Sequence, residues 1–200
     1  MIVKIVCAGE NHFKNLYKKD QEEYLIAVDG GLNTISEMNL VADLAIGDFD
    51  SCDINEYNCY KEKITYNKIK DESDLELAVI HAFKLNFEKI VIYNATGNRL
   101  DHFYASILLL NKFSKKNIEI VNNNNKIKVI NETTLFKKSE YKYISFFALE
   151  EDVVITLEGF YYNIKDYKLE TSNPLGLSNE IKEEGKVVIN NKKLLVIESF

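Results

Sequence analysis

Leu44-Ala45-Ile46-Gly47-Asp48-Phe49-Asp50-Ser51 runs from a short apolar stretch straight into two carboxylates that flank one phenylalanine. The apolar residues read as the end of a buried strand. Beyond a strand exit, alternate side chains of extended backbone point the same way, so Asp48 and Asp50 are expected to face one point. Two carboxylates aimed at one point repel unless a cation lies between them. Mg²⁺ takes oxygen ligands, often one or two carboxylates together with substrate phosphates. Read alone, the pentapeptide 47–51 is equally a turn rich in Asp and Ser. Phe49 between the aspartates reads as a core anchor that holds them outward.

Working outward, the first 120 or so residues alternate apolar runs with helical patterns. Strands are expected at Ile2 to Ala8, Tyr24 to Val28, Leu44 to Ile46, Lys63 to Tyr66, Lys89 to Tyr93 and Ile118 to Val121. A polar helical segment is expected from Asn11 to Lys19, and a short helix from Leu32 to Met38. Ser73 and Glu76 form a capping box. Behind it Leu75, Ala78, Val79 and Ala82 make one apolar stripe. Leu100 to Phe113 is apolar over most of its surface and is expected to be a buried helix. Strands alternating with helices imply a parallel sheet with helices on both faces.

After Asn122-Asn123-Asn124-Asn125, a run that suits a turn, the pattern changes. Lys126 to Ile130, Tyr141 to Leu149, Val153 to Leu157, Lys186 to Ile189 and Lys193 to Ile197 are strand-like, with no helix between them. The expected architecture is α/β, a Rossmann-like parallel-sheet nucleotide domain over 1–124 followed by an antiparallel β-sandwich over 125–200.

Composition narrows the function. The 200 residues carry a net charge of −6, with 46% hydrophobic and 28% charged residues, as in an ordinary globular chain. The acidic balance and scattered Lys and Arg argue against nucleic acid as a partner. No apolar stretch reaches the roughly 18 residues that span a bilayer. The N-terminal residues read as a strand and not as a signal peptide. Three cysteines, Cys7, Cys52 and Cys59, without a Cys-x-x-Cys pair, fit a reducing cytoplasm. His12 and His81 read as structural or surface residues.

Four polar clusters lie at or shortly after expected strand exits: Asp29-Gly30-Gly31, Asp48 with Asp50, residues 70–74, and residues 96–102. In a parallel sheet all of these emerge at the carboxyl edge, where open α/β sheets bind ligands. Glycines admit phosphate close to the backbone, and helix N-termini offer it N–H groups. Lys70 and Arg99 add full charges. Asp48, Asp50, Asp74 and Asp101 supply carboxylate for Mg²⁺. Together these suit phosphoryl transfer from a nucleotide. Taken singly, each cluster also has an ordinary reading: Asp74 and Asp101 as first-turn acids, Arg99 paired with Asp101 on the surface, Gly30-Gly31 as a turn, His102 as a packing residue.

The same residues resemble the thiamine pyrophosphokinase family. The resemblance rests on Asp-Gly-Gly at 29–31, Gly-Asp-Phe-Asp-Ser at 47–51, Lys-Asp-x-Ser-Asp-Leu-Glu at 70–76 and Thr-Gly-x-Arg-Leu-Asp-His at 96–102. Gly159-Phe160-Tyr161-Tyr162 and Gly176-Leu177-Ser178-Asn179-Glu180 look like that family's thiamine-binding segments. The resemblance implies transfer of a pyrophosphoryl group from ATP to thiamine, with Mg²⁺, in a cytoplasmic homodimer that holds thiamine at its interface. It implies that Asp48, Asp50 and Asp74 surround the metal and that Asp101 lies near the metal and the thiamine hydroxyl. Asp71, Ser73, Thr96, Gly97 and Arg99 match positions near the nucleotide phosphates. Asp29, Gly30, Gly31, Ser51, Lys70 and His102 belong to the same nucleotide-side motifs. Tyr162, Ser178 and Asn179 match the thiamine end. Two positions depart from the usual pattern: Ser73 stands where Thr is commoner, and Asn98 where a second glycine is common. Two other classes share these features, a magnesium-dependent nucleotide hydrolase and a non-catalytic nucleotide or thiamine sensor.

Overall fold

The computed structural model describes residues 1–49 and 58–200. Asp50, Ser51 and Cys52 lie outside the described residues. The chain divides into two compact units, residues 1–109 with 117–123, and residues 110–116 with 124–200.

The first unit contains six parallel strands. They are β1 (Ile2–Val6), β2 (Glu23–Val28), β3 (Ala42–Gly47), β4 (Tyr60–Thr65), β5 (Lys89–Tyr93) and β6 (Ile118–Val121), in the spatial order β4-β3-β2-β1-β5-β6. All five neighbouring pairs are parallel. The strands are rich in β-branched residues, and several are apolar on both faces, as a sheet covered on both sides requires. Val6, Leu25, Ala27, Ala45, Val91 and Tyr93 cluster with Leu32 and Ile35 of α2 (Gly31–Glu37). The alternate residues, including Ile5, Ile26, Leu44, Ile46, Ile90 and Ile92, are fully buried and point the other way. Helix α3 (Asp74–Ala82) contacts β1, β2 and β3 on that opposite face. The sheet grows from β1 in both directions, so the exits of β1 and β5 form the switch point where α/β sheets hold ligands.

The expected helix from Asn11 to Lys19 shrinks to α1 (Phe13–Leu16), and Tyr17 is already extended. A buried lysine accounts for this. Lys4, 2% exposed, donates to the Lys18 carbonyl, and its Nζ lies 2.7 Å from Asp20 and 2.8 Å from Glu23. Those contacts hold residues 17–23 as a non-helical strap beside β1, with bends at 21 and 22. A second difference concerns α4 (Leu100–Lys112), which was expected to be buried. Leu100, Tyr104 and Leu108 are 72%, 64% and 50% exposed, so one stripe of this helix faces outward while Ser106, Ile107, Leu109 and Leu110 are buried.

The second unit is built from strands β7 (Asn125–Ile130), β8 (Thr134–Lys137), β9 (Tyr143–Ala148), β10 (Val153–Phe160), β11 (Ile164–Leu169), β12 (Ile181–Ile189) and β13 (Leu194–Ser199). Two antiparallel layers form, β7-β13-β9 and β11-β10-β12-β8. Their inward residues share one core, with Phe146 and Phe160 edge to face at 5.6 Å and 88°. The antiparallel sandwich is therefore as expected. The sequence pattern omitted β8 and β11, which are the two edge strands of the four-stranded layer. Edge strands carry charge and short apolar alternation, which weakens the signal.

Candidate active site

Asp29 ends β2 in a left-handed conformation (φ 46°), and its carboxylate anchors the neighbouring strand exit. Its Oδ1 accepts the backbone N–H groups of Asp48 at 3.1 Å and Phe49 at 3.3 Å. Phe49 also has positive φ (52°), a conformation that an aromatic side chain adopts only under tertiary constraint. Its ring is 8% exposed and belongs to the core beneath the sheet, the anchor expected from its place in the motif. A Cβ at Gly47 would lie 1.8 Å from Asp29 Oδ1, so this close approach admits only glycine. Gly47→Ala is expected to break the Asp29 anchor, lowering Tm by several degrees and displacing Asp48; melting curves and turnover together check this.

Asp74 opens α3 behind Ser73. The Ser73 hydroxyl accepts the Glu76 N–H at 3.1 Å, which completes the first half of the expected capping box. The Lys70 ammonium lies 2.8 Å from Asp74 Oδ1, and the two side chains are 14% and 21% exposed. That oxygen is buried and meets no aligned hydrogen-bond donor among the described residues, so its contact with Lys70 is an ion pair by proximity. Burial pushes the Asp29 carboxyl up to about 6, and the charges of Asp74 and Asp48 push the same way. Burial disfavours the Lys70 charge, but Asp74, Asp48 and Asp29 outweigh it and raise its pKa. The structure thus gathers Asp29, Asp48, Asp74 and Lys70 into one electrostatic cluster.

Other residues expected on the nucleotide side lie around the exit of β5. Gly9 donates to the Asn94 carbonyl at 2.9 Å and Glu10 to the Thr96 carbonyl at 3.0 Å. A Cβ at Gly9 would lie 2.3 Å and 2.5 Å from those two oxygens. The Asn94 side chain, in a residue 1% exposed, accepts the His12 and Phe13 N–H groups at 2.9 Å each. Thr96 Oγ1 accepts from Asn122 at 3.2 Å. Gly9, Asn94 and Asn122 escaped the sequence reading. The only signal was a glycine just past the first strand and an Asn just past the fifth. Arg99 and Asp101 form a bidentate pair at 2.9 Å and 2.7 Å, both exposed. The Arg99 hydrogen bonds hold the Asp101 carboxyl far below the usual carboxylate range. His102 is exposed, which removes its reading as a buried packing residue, and Asp71 is also exposed. Gly30 and Gly31 begin α2, and a Cβ at Gly31 would lie 2.1 Å from the Val6 carbonyl oxygen.

In the second unit, Tyr162 and Ser178 are exposed and Asn179 is buried. Asn179 Oδ1 accepts from the Tyr162 N–H at 3.1 Å and the Glu180 N–H at 2.9 Å, and its Nδ2 donates to the Tyr162 carbonyl at 2.7 Å. The amide therefore ties the Tyr161-Tyr162 turn down. Ser178 has φ 54° and donates its N–H to Ser145 Oγ at 3.0 Å. Gly176 lets this segment lie on β9, since a Cβ there would meet the Phe146 carbonyl oxygen at 2.2 Å. Asn179→Ala is expected to cost about 1–2 kcal/mol, because it leaves part-buried backbone groups of Tyr162 and Glu180 without their partner. Chemical denaturation of the variant measures it.

Oxygen ligands and partly buried carboxylates of like charge, with one lysine to balance them, suit a hard divalent cation. Among the described residues no three metal-ligating side chains stand close enough to hold one alone. Mg²⁺ bound with a nucleotide does not need three, because phosphates and water complete its shell. The residues present therefore fit the ion.

Glycine-lined strand exits, helix N-termini, paired cations and massed carboxylates at one sheet edge define an enzyme of the phosphoryl-transfer class. The thiamin pyrophosphokinase catalytic-domain model matches residues 13–122, and the thiamin pyrophosphokinase vitamin B1 binding-domain model matches residues 132–196. The thiamine pyrophosphokinase of Bacillus subtilis (strain 168) is 33% identical over 171 residues, covering 81% of this chain and 80% of that protein. The crystal structure of a Bacillus subtilis thiamine pyrophosphokinase superposes with a TM-score of 0.89 at 28% identity, covering 100% of this chain and 99% of that one. The thiamin pyrophosphokinase structure from Geobacillus thermodenitrificans gives 0.87 at 27% identity, covering 100% and 98%. The chain belongs to the thiamin pyrophosphokinase family.

Proposed function

We propose that this chain transfers the pyrophosphoryl group of ATP to the hydroxyl of thiamine, giving thiamine diphosphate and AMP. The observation that carries the reading is the pairing, in order along one chain, of a matched catalytic domain with a matched vitamin B1 binding domain. The Asp29–Asp48–Asp74–Lys70 cluster in the first of them supports it. Residues 1–124 serve ATP and Mg²⁺, and residues 125–200 serve thiamine.

Asp48, Asp74 and Asp50 would hold Mg²⁺, which would supply positive charge to offset that on the phosphate oxygens. Lys70, Arg99 and the backbone around Thr96 and Gly97 hold the polyphosphate. Gly30, Gly31, Asp71, Ser73 and His102 serve the same side, Ser51 belongs to the same motif, and Asp29 fixes the loop that carries Asp48. Asp101 stands toward the thiamine hydroxyl. The hydroxyl oxygen attacks the β-phosphorus, the bond to the α-phosphate oxygen breaks, and AMP leaves with its electron pair. A loose transition state asks little of a base, so positioning and electrostatics dominate; Asp101 takes the proton if a side chain does. Tyr162 and Ser178 contact thiamine; Asn179 holds the first in place and Ser145 the second.

The exposed stripe of Leu100, Tyr104 and Leu108 supports a homodimer, which sedimentation tests. Free thiols at Cys7 and Cys59 accord with the cytoplasm. No helix among the described residues is long and apolar enough to cross a membrane. One reaction tests the function: ATP, thiamine and Mg²⁺ with the protein, analysed by mass spectrometry. Thiamine diphosphate with AMP is expected. Thiamine monophosphate with ADP overturns the transfer chemistry, and AMP or ADP formed at the same rate without thiamine makes the protein a hydrolase.

A further inference from the structure

Lys70 sits where a phosphate-binding lysine is expected, yet here its ammonium is engaged with protein carboxylate. Its Nζ is 2.8 Å from Asp74 Oδ1, in a pair whose side chains are 14% and 21% exposed. It also donates to the Asn67 carbonyl at 3.2 Å. Asp74 Oδ1 meets no aligned donor among the described residues, so the ammonium neutralises that buried oxygen without satisfying its hydrogen-bonding directions. Asp29 and Asp48 add charge of the same sign nearby, and both raise the Lys70 pKa. The Arg99–Asp101 pair differs. Its side chains are 70% and 65% exposed, and water screens it.

We propose that Lys70 is the built-in counter-ion of the acidic cluster, occupying Asp74 until a divalent cation displaces it and frees its ammonium for phosphate. The inference rests on reading Asp48 and Asp74 as metal ligands. The reasoning is electrostatic. A carboxylate cluster at a strand exit is costly when unneutralised, and the nearest mobile charge is a lysine on a flexible four-carbon stem. A second cation on Asp74 Oδ1 would sit against that ammonium and be repelled, so lysine and metal compete for one oxygen. Once displaced, Lys70 regains a partner only when phosphate arrives with the metal. Metal and nucleotide therefore favour each other's binding through this residue.

The sign of the consequence separates this role from a purely attractive one. Removing a positive charge next to a metal site strengthens metal binding. Without nucleotide, Lys70→Met is expected to bind Mn²⁺ about tenfold tighter than wild type, read from the EPR signal of free Mn²⁺. Lys70→Arg, which keeps the charge, is expected to stay near wild type. Melting supplies a second readout. Lys70→Met is expected to melt below wild type in EDTA and to regain most of the difference in millimolar Mg²⁺. Equal Mn²⁺ affinity in wild type and Lys70→Met overturns the proposal. A melting deficit that Mg²⁺ leaves unchanged also overturns it, since a merely structural lysine behaves that way. Failure of all three proteins to bind Mn²⁺, even with a non-hydrolysable ATP analogue, instead overturns the reading of the aspartates as a metal site.

Discussion

Asp48→Asn is expected to lower kcat for thiamine diphosphate formation by roughly a hundredfold or more, with little change in the KM for thiamine. At about 1.4 kcal/mol per tenfold, that is about 3 kcal/mol of lost transition-state stabilisation. The backbone should survive the change. The strand exit is held by the Asp48 and Phe49 N–H groups on Asp29 and by the buried Phe49 ring, none of which uses the Asp48 carboxylate. Stability in the absence of metal is expected to change little, since losing the Asp48 charge relieves Asp29 but weakens the field that favours charged Lys70. The Asp48 charge is one of the causes that push the Asp29 carboxyl up, and the amide removes it. Steady-state kinetics with a melting curve in EDTA measures both. An unchanged rate takes Asp48 out of the site, whereas a lost rate with a collapsed melting temperature makes it structural.

Lys4→Met is the other large effect, and it acts on the fold. Lys4 is 2% exposed at the centre of β1, with Asp20 and Glu23 on its ammonium. The Tyr17 hydroxyl donates to Glu23 at 2.6 Å, and the lysine also lies 4.7 Å from that ring's centroid. Removing one partner of a buried pair leaves the other charge without compensation, at a cost of about 3 kcal/mol here because Asp20 keeps water. For a domain of this size that is about 8 °C in Tm. Its pH dependence is distinctive. Burial pushes the Glu23 carboxyl up, but hydrogen bonds from Lys4, Tyr17 and the Asp20 amide outweigh it, so its pKa lies below the ordinary 4.5. A lowered carboxyl stabilises the fold above its unfolded pKa, and that stability is lost as pH falls through the folded value. Wild type should therefore lose this contribution in acid. In Lys4→Met the main opposing interaction is gone, so the acid-side loss contributed by Glu23 should shrink or reverse. Thermal melts of both proteins from about pH 6 down to well below the ordinary carboxylate value, to about pH 3, measure this.

Much of the molecule follows from local chemistry. The β-branched runs, the Ser73 cap and the 3.6-residue stripe of α3 predict a parallel α/β unit, because burial on both sheet faces leaves an unmistakable apolar pattern. The switch to strands without helices after Asn125 predicts the sandwich. The four motif clusters point to one edge of the first sheet, because a parallel sheet brings every strand exit to one edge.

Other features are invisible in the sequence because their causes lie far away in the chain. The Lys4 network shortens α1 by drawing residues 17–23 into a strap. Asn94 buries its amide against residues 12 and 13, about 80 positions away, so no local pattern marks it as a support of the switch point. Helix α4 shows why composition misleads: its apolar face is wider than its buried face, and only the packing of the unit decides that Leu100, Tyr104 and Leu108 stay outside. Asn179 looks like a turn residue, and only the hairpin opposite shows that its amide is engaged with Tyr162. The sequence by itself determined the element types, their order and the edge at which the chemistry gathers, since these depend on periodicity and strand polarity. The tertiary structure alone decided that the Asp29 carboxylate lies beneath the Asp48 and Phe49 amides and that Lys4 meets Asp20 and Glu23, because such pairing depends on distance in space and not on separation along the chain.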